Sequence, residues 1–284
     1  QRLISCIQLP TAQGFVFRVD MRLRPHGDAG PLVMSFAAME DYYQIHGRDW
    51  ERYAFIKARP VAGDVAQGKI LLKRLGAFVF RRYLDFAAIQ SLREMKQMIA
   101  AQVRRKGMHN NIKLGAGGIR EVEFIGQIFQ LIRAGRQPRL QQAGILPVLK
   151  ALASLNYLPE YVVKQLRSAY LFLRKLEHVL QEYADQQTHE IPEDEAGRQR
   201  VSLAMGYTDW SGFSAQLARH RRHVSEHFEQ IMAAPQSEPD DEQQVFWRQV
   251  WDDLDSDEAE KILNAQGYEG GEVIRLLKVT RAAG

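Results

Sequence analysis

Near the N-terminus, Phe15-Val16-Phe17-Arg18-Val19-Asp20-Met21-Arg22-Leu23-Arg24-Pro25 alternates apolar and polar side chains with period two. That period predicts a strand with one face buried and one presented. A turn cluster, His26 to Pro31, follows, and Leu32-Val33-Met34 reads as a second short strand. Beyond it the spacing changes to three and four. Ser35 is placed to cap a helix with the stripe Phe36, Met39, Tyr42 and Tyr43, ending near Gly47. Asp49 is placed to cap another, Trp50 to about Ala62, bent or ended by Pro60.

From there the pattern is helical: 69–82, then 86–106 with Ile89, Leu92, Met95, Ile99 and Val103 in one stripe. A glycine-bearing loop, 107–118, leads into 119–134, with Val122, Ile125, Phe129 and Ile132 inward. Helices are predicted over 144–156, 159–186, 192–205 and 208–234. The long one carries Val162, Leu166, Ala169, Leu173, Leu176 and Leu180 at helical spacing. Polar, acidic 235–242 reads as a linker, followed by helices over 245–254, 256–265 and 271–282. The fold class is therefore α+β and mostly α. Three regions are expected: 1–66 with the strands, a helical bundle over 67–235, and an acidic linker with terminal helices over 236–284.

Composition narrows the function. The chain has no run of 18 apolar residues, so no membrane span is expected, and its single cysteine, Cys6, excludes an internal disulfide and fits a cytoplasmic setting. The chain opens without an initiator Met, which suggests a piece of a longer protein. The net charge of +4 is unevenly spread: residues 1–139 carry 23 Lys and Arg against 11 Asp and Glu, the remainder 15 against 23. Anion binding is expected in the first half. Basic clusters such as Arg104-Arg105-Lys106 are short and lack interleaved aromatics, which argues against nucleic acid.

The predicted strand brings Arg18, Asp20, Arg22 and Arg24 onto one face, since residues two apart point the same way. A carboxylate that ligates a divalent cation, beside guanidiniums that grip phosphate, is the equipment of phosphoryl or nucleotidyl transfer. The plainer alternative is that Asp20 pairs with Arg18 or Arg22. Gly115 to Gly118, ahead of Arg120, Glu121 and Glu123, reads either as an anion-binding loop at a helix start or as a turn whose acidic residues stabilise the helix's positive end. Arg48, Asp49, Arg52 and Lys57 extend the basic site or pair among themselves. His220, His223 and His227, at i, i+3 and i+7 among arginines, read as a solvated helix face rather than a metal site.

Three stretches, Val19 to Asp64 (VDMRLRPHGDAGPLVMSF…), Phe78 to Lys96 and Asn111 to Gln141 (NIKLGAGGIREVEFIGQ…), resemble the bifunctional glutamine synthetase adenylyltransferase/adenylyl-removing enzymes. The resemblance implies a partial polymerase-β-type nucleotidyltransferase fold followed by a helical bundle, from the adenylyl-removing half. It implies Mg2+-dependent phosphorolysis of adenylyl-tyrosine on glutamine synthetase, with Asp20 as catalytic metal ligand and Arg22 and Arg24 on phosphate or nucleotide. Arg48, Arg52, Arg120, Glu121 and Glu123 are weaker candidates. The implied partners are glutamine synthetase, the PII signal protein in uridylylated and unmodified forms, ADP or ATP, and inorganic phosphate. The family's first two carboxylates sit in a Ser-Asp-x-Asp segment that this sequence lacks, so the chain alone is expected to be inactive. The alternative is a helical module that docks PII or the synthetase and does no chemistry.

Overall fold

The computed structural model describes residues 2–12, 14, 16–81, 105, 110–183, 186–233, 246–247, 249–251 and 253–283. Most of these are helical, and the chain forms two compact units, Gln1–Ala233 and Ala234–Gly284. The predicted helix 86–106, apart from Arg105, and the predicted linker 235–242 lie outside the described residues.

Over 16–25, the described part of the predicted strand, no strand forms. Val16 N–H and Phe17 N–H both donate to Ile7 O, at 3.2 and 3.1 Å, tying the segment back to helix α1 (Arg2–Gln8). Period two creates a strand only where a neighbour supplies the other half of the ladder, and the β-pairing among the described residues is limited to two isolated bridges, Thr11 with Gly14 and Asn111 with Glu190. Val16, Phe17 and Leu23 consequently stand exposed, and Leu32 to Met34 is likewise without strand structure.

Helix α2 (Phe36–Ile45) starts where Ser35 Oγ accepts from Ala38 N–H at 3.2 Å. Helix α3 (Asp49–Phe55) is capped one residue earlier than predicted, at Arg48, whose N–H donates to Glu51 Oε2 at 2.9 Å. It ends well before Ala62, in the tightened turns Lys57 N–H to Ala54 O and Ala58 N–H to Phe55 O. Helix α4 (Val65–Val79), capped by Asp64, lays Leu71 and Leu75 against Tyr42 and Tyr43 of α2.

The larger core belongs to α5 (Ile119–Arg133), α6 (Ile145–Ser154), α7 (Glu160–Glu182), α8 (Glu195–Met205) and α9 (Trp210–Ala233). The predicted α7 stripe is buried throughout, and it serves two clusters. Leu166 and Ala169 join Val122, Ile125, Leu149 and Phe228, whereas Leu173, Leu176 and Leu180 join Ile112, Ile119, Phe213 and Leu217. At about 25 cal/mol per Å2 of apolar surface removed from water, this shared spine is what holds the five helices together. On α5, Val122 and Ile125 are buried as predicted, whereas Phe129 and Ile132 pack on the core only partly buried and Ile128 and Leu131 are buried beside them.

The second unit packs Val250 against Ala259 and Leu263 of α10 (Asp257–Ala265), with Val273, Ile274 and Leu277 of α11 (Gly270–Ala283) alongside.

Candidate functional site

In the segment expected as a ladder of guanidiniums, Asp20, Arg22 and Arg24 are engaged locally and Arg18 reaches a distant residue. Asp20 accepts from Arg22 three times through the side chain, Nε to Oδ1 at 3.0 Å, Nε to Oδ2 at 3.1 Å and a terminal nitrogen to Oδ2 at 2.6 Å, and from Arg22 N–H at 3.0 Å. These bonds to Arg22 hold the carboxyl down to about 2, so it is ionised throughout the neutral range. Both side chains remain open to solvent, Arg22 at 79% and Asp20 at 55%. Arg18 donates to Gln187 Oε1. Arg24 is engaged elsewhere: it donates to Met21 O, Gly30 O and Asp28 O, bracing the turn after the segment, and its side chain is 15% exposed. Arg18, Asp20, Arg22 and Gln187 line an open cleft of about 840 Å3.

The glycine loop is consumed by its own backbone. Asn111 Oδ1 accepts from Lys113 N–H and Leu114 N–H, and Gly118 N–H donates to Gly115 O. The first N–H groups of α5 are taken as well: Ile119 to Ile112 O, Arg120 to Lys113 O and Glu121 to Gly118 O. Glu121 reaches back to Gly117 N–H at 2.8 Å, and Arg221 Nε crosses from α9 to Ala116 O at 2.9 Å. The donors that an anion would need at this helix start are occupied, so the loop is a structural joint between α5 and α9.

The weaker candidates are likewise placed. Arg52 is buried, donating to Val79 O at 3.3 Å and to Asp49 Oδ1 at 3.2 Å, and so ties α3 to the end of α4. Arg48 is the exposed cap residue of α3. Arg120 hydrogen-bonds Tyr53, whose hydroxyl is pushed up to about 12, chiefly by burial. Glu123 pairs with Lys57 at 2.8 Å and accepts from Tyr170, whose hydroxyl is also raised, first by burial.

A polar belt on α7 went unread in the sequence. Buried Glu177 meets Arg174 at 2.5 Å, Lys113 at 3.4 Å and His189 Nδ1 at 3.3 Å. The only signal for it was a glutamate at position 177, one residue after Leu176 in the apolar stripe, where a lone carboxylate needs partners.

Two of the three histidines of α9, His220 and His227, do not lie on the solvated face the sequence suggested. His220 is buried against Phe172, with ring centroids 4.6 Å apart, and its Nε2 meets Gln216 at 2.8 Å; buried His227 meets Gln165 at 2.5 Å. Burial, ahead of neighbouring charges, lowers both rings below the ordinary histidine value. A group whose native value is depressed adds stability above its unfolded value near 6.5, and that stability is lost as pH falls through it toward the native value. The urea midpoint of the chain is therefore expected to fall between pH 7.5 and pH 5.5, and to fall less in the double variant His220→Gln, His227→Gln. An unchanged slope in that variant would assign the effect to other groups.

Asp20 is the group that suits a hard divalent cation: ionised, oxygen-bearing and in an open cleft. It fits as one ligand of such a site. Among the described residues no three His, Cys, Asp or Glu side chains come together to hold a metal ion.

Two family models match the chain. One, described as glutamate-ammonia ligase adenylyltransferase, covers residues 1–74; the other, described as GlnD PII-uridylyltransferase, covers residues 93–232. Three curated relatives carry the name bifunctional glutamine synthetase adenylyltransferase/adenylyl-removing enzyme. The protein of Thioalkalivibrio sulfidiphilus is 54% identical over 94% of this chain, that of Nitrosococcus oceani 56% over 96%, and that of Pseudomonas syringae pv. tomato 50% over 100%. The chain spans 28%, 28% and 30% of their respective lengths.

Proposed function

We infer, from the premise that this chain belongs to the family of bifunctional glutamine synthetase adenylyltransferase/adenylyl-removing enzymes, that it is a segment of the adenylyl-removing half. The reaction is phosphorolysis. An oxygen of inorganic phosphate attacks the phosphorus of adenylyl-tyrosine, the bond from phosphorus to the tyrosine oxygen breaks, ADP leaves, and the tyrosine hydroxyl is regained.

The observation that carries this reading is Asp20: an ionised, exposed carboxylate latched by Arg22, with Arg18 alongside, in an open cleft. A bound Mg2+ supplies neutralisation of the phosphate oxygens. Asp20 serves as one of three carboxylates that hold it; the other two belong to the rest of the full-length protein. Released from Asp20, the Arg22 guanidinium has the planar fork to take the incoming phosphate bidentately. Arg24 shapes the turn that keeps Asp20 and Arg22 in place.

The uridylylated PII signal protein promotes removal, and unmodified PII with glutamine promotes the opposite reaction elsewhere in the parent. The excess of acid over base after residue 139 favours a second role for that part, as a docking surface for PII or the synthetase.

The test is ADP release from adenylylated synthetase and phosphate. The full-length enzyme is expected to be active with Mg2+ and residues 1–284 alone to be inactive; full activity of the chain alone would contradict the assignment of two carboxylates elsewhere. In the full-length enzyme Arg22→Ala is expected to raise the phosphate KM about tenfold, the size of one charge-assisted contact. An unchanged KM would remove Arg22 from the phosphate.

A further inference from the structure

Residues 186–190 lie beside two cavities and begin in a tight turn, Thr188 N–H donating to Gln186 O at 2.8 Å. Gln187 faces the Asp20 cleft and accepts from Arg18, whereas Gln186, Thr188 and Glu190 line a second cavity of about 440 Å3. A single short stretch of backbone is therefore a wall of both.

The second cavity lies between the C-terminal end of α7 and α8, with an apolar lining that includes Val179, Leu180, Val201 and Ala204. Its volume falls in the range of small-molecule sites. Two of its carboxylates are already engaged, Glu190 with Asn111 Nδ2 at 2.6 Å and Asp194 with Gly197 N–H at 2.7 Å. Glu182 has no such partner among the described residues. Beside it the Arg200 guanidinium lies over the Tyr183 ring, 4.2 Å from the centroid. An aromatic face, a carboxylate and an apolar floor together make a seat for an organic cation, and the protein's own Arg200 occupies the aromatic part of it.

We propose that this cavity binds an organic monocation, an ammonium or guanidinium group on a short aliphatic or aryl body, and that its occupancy is passed to the Asp20 cleft through residues 186–190. The ligand's charged group replaces Arg200 on Tyr183 and meets Glu182, and its body fills the apolar floor. The consequence for activity rests on the phosphate-handling reading of the cleft; binding and its transmission do not.

The test uses the full chain, titrated with phenethylammonium chloride and, as a control of the same shape and opposite charge, 3-phenylpropionate, followed by nitrogen–proton NMR. Saturable binding of the ammonium is expected, with signals of Thr188, Glu190, Gln187 and Arg18 moving along one binding curve. Glu182→Gln is expected to weaken it about tenfold, and Ala204→Phe, at an exposed position on the cavity wall, to abolish it. Equal binding of the phenylpropionate, or indifference to both variants, would overturn the site. Shifts confined to Thr188 and Glu190, with Gln187 and Arg18 unmoved, would overturn the transmission. None of these readouts involves phosphorolysis, so a failure here is separable from a failure of the functional reading.

Discussion

Replacing Gly117 by alanine is expected to destabilise the chain by about 3 kcal/mol, a fall in Tm of roughly 6–12 °C. Two independent penalties meet at this position. Its φ of +70° lies in the left-handed region, which costs an L side chain on the order of 1 kcal/mol. A Cβ there would also collide with Arg221 O and lie 2.5 Å from the carbonyl carbon and Cα of the same residue. Backbone cannot rotate aside as a side chain does. Relief requires α9 to back away from the loop, which breaks Arg221 Nε to Ala116 O and strains Glu121 on Gly117 N–H. Gly206 provides the comparison: φ is +90° and nothing lies within 4 Å of its virtual Cβ. Gly206→Ala should therefore cost about 1 kcal/mol, the conformational penalty alone. Urea unfolding of both variants, followed by far-ultraviolet circular dichroism, checks the difference; equal losses would mean that the contact of Gly117 with α9 contributes nothing.

That joint explains where the sequence was legible and where it was not. The spacing of Leu166, Leu173, Leu176 and Leu180 marks α7 because a long helix must bury one stripe, whatever it packs against. The cap at Ser35 is local in the same way, settled by an N–H three residues on, whereas the equally local cap at Asp64 went unread and the helix was expected from 69 rather than Val65. Residues 16–25 were misread because period two states a preference that only a neighbouring strand can realise. The glycines of 115–118 were open to two readings, an anion-binding loop or a turn into the helix, and close approach of another element was in neither. What approaches them is an α9 residue some hundred positions later, and sequence spacing carries no information about such a contact.

The candidate site divides similarly. Asp20 and Arg22 are two residues apart, and their pairing was one of two readings open from spacing alone. The Lys57–Glu123 and Glu177–His189 pairs join positions far apart in the chain and become visible only once α3, α5, α7 and the 186–190 segment are packed. Arg52 shows the reverse case: a guanidinium that looks available in a list of basic residues is 1% exposed and holds two elements together.

Asp20→Ala in the full-length enzyme is expected to lower phosphorolysis of adenylylated synthetase by at least about 100-fold, because loss of a ligand should cost at least as much as the 10- to 100-fold typical of groups one step farther from the ion. The same change should leave stability nearly untouched, since the carboxylate is exposed and its pair with Arg22 is a surface pair. That combination separates a functional carboxylate from a structural one: a group that merely braced Arg22 would leave turnover intact. The most direct measurement is the rate of ADP release from adenylylated glutamine synthetase at saturating phosphate and Mg2+, for the wild-type full-length enzyme and Asp20→Ala side by side. A loss of at least about 100-fold with unchanged thermal unfolding is the predicted result; near-normal turnover would contradict the role assigned to Asp20 and with it the reading of the cleft.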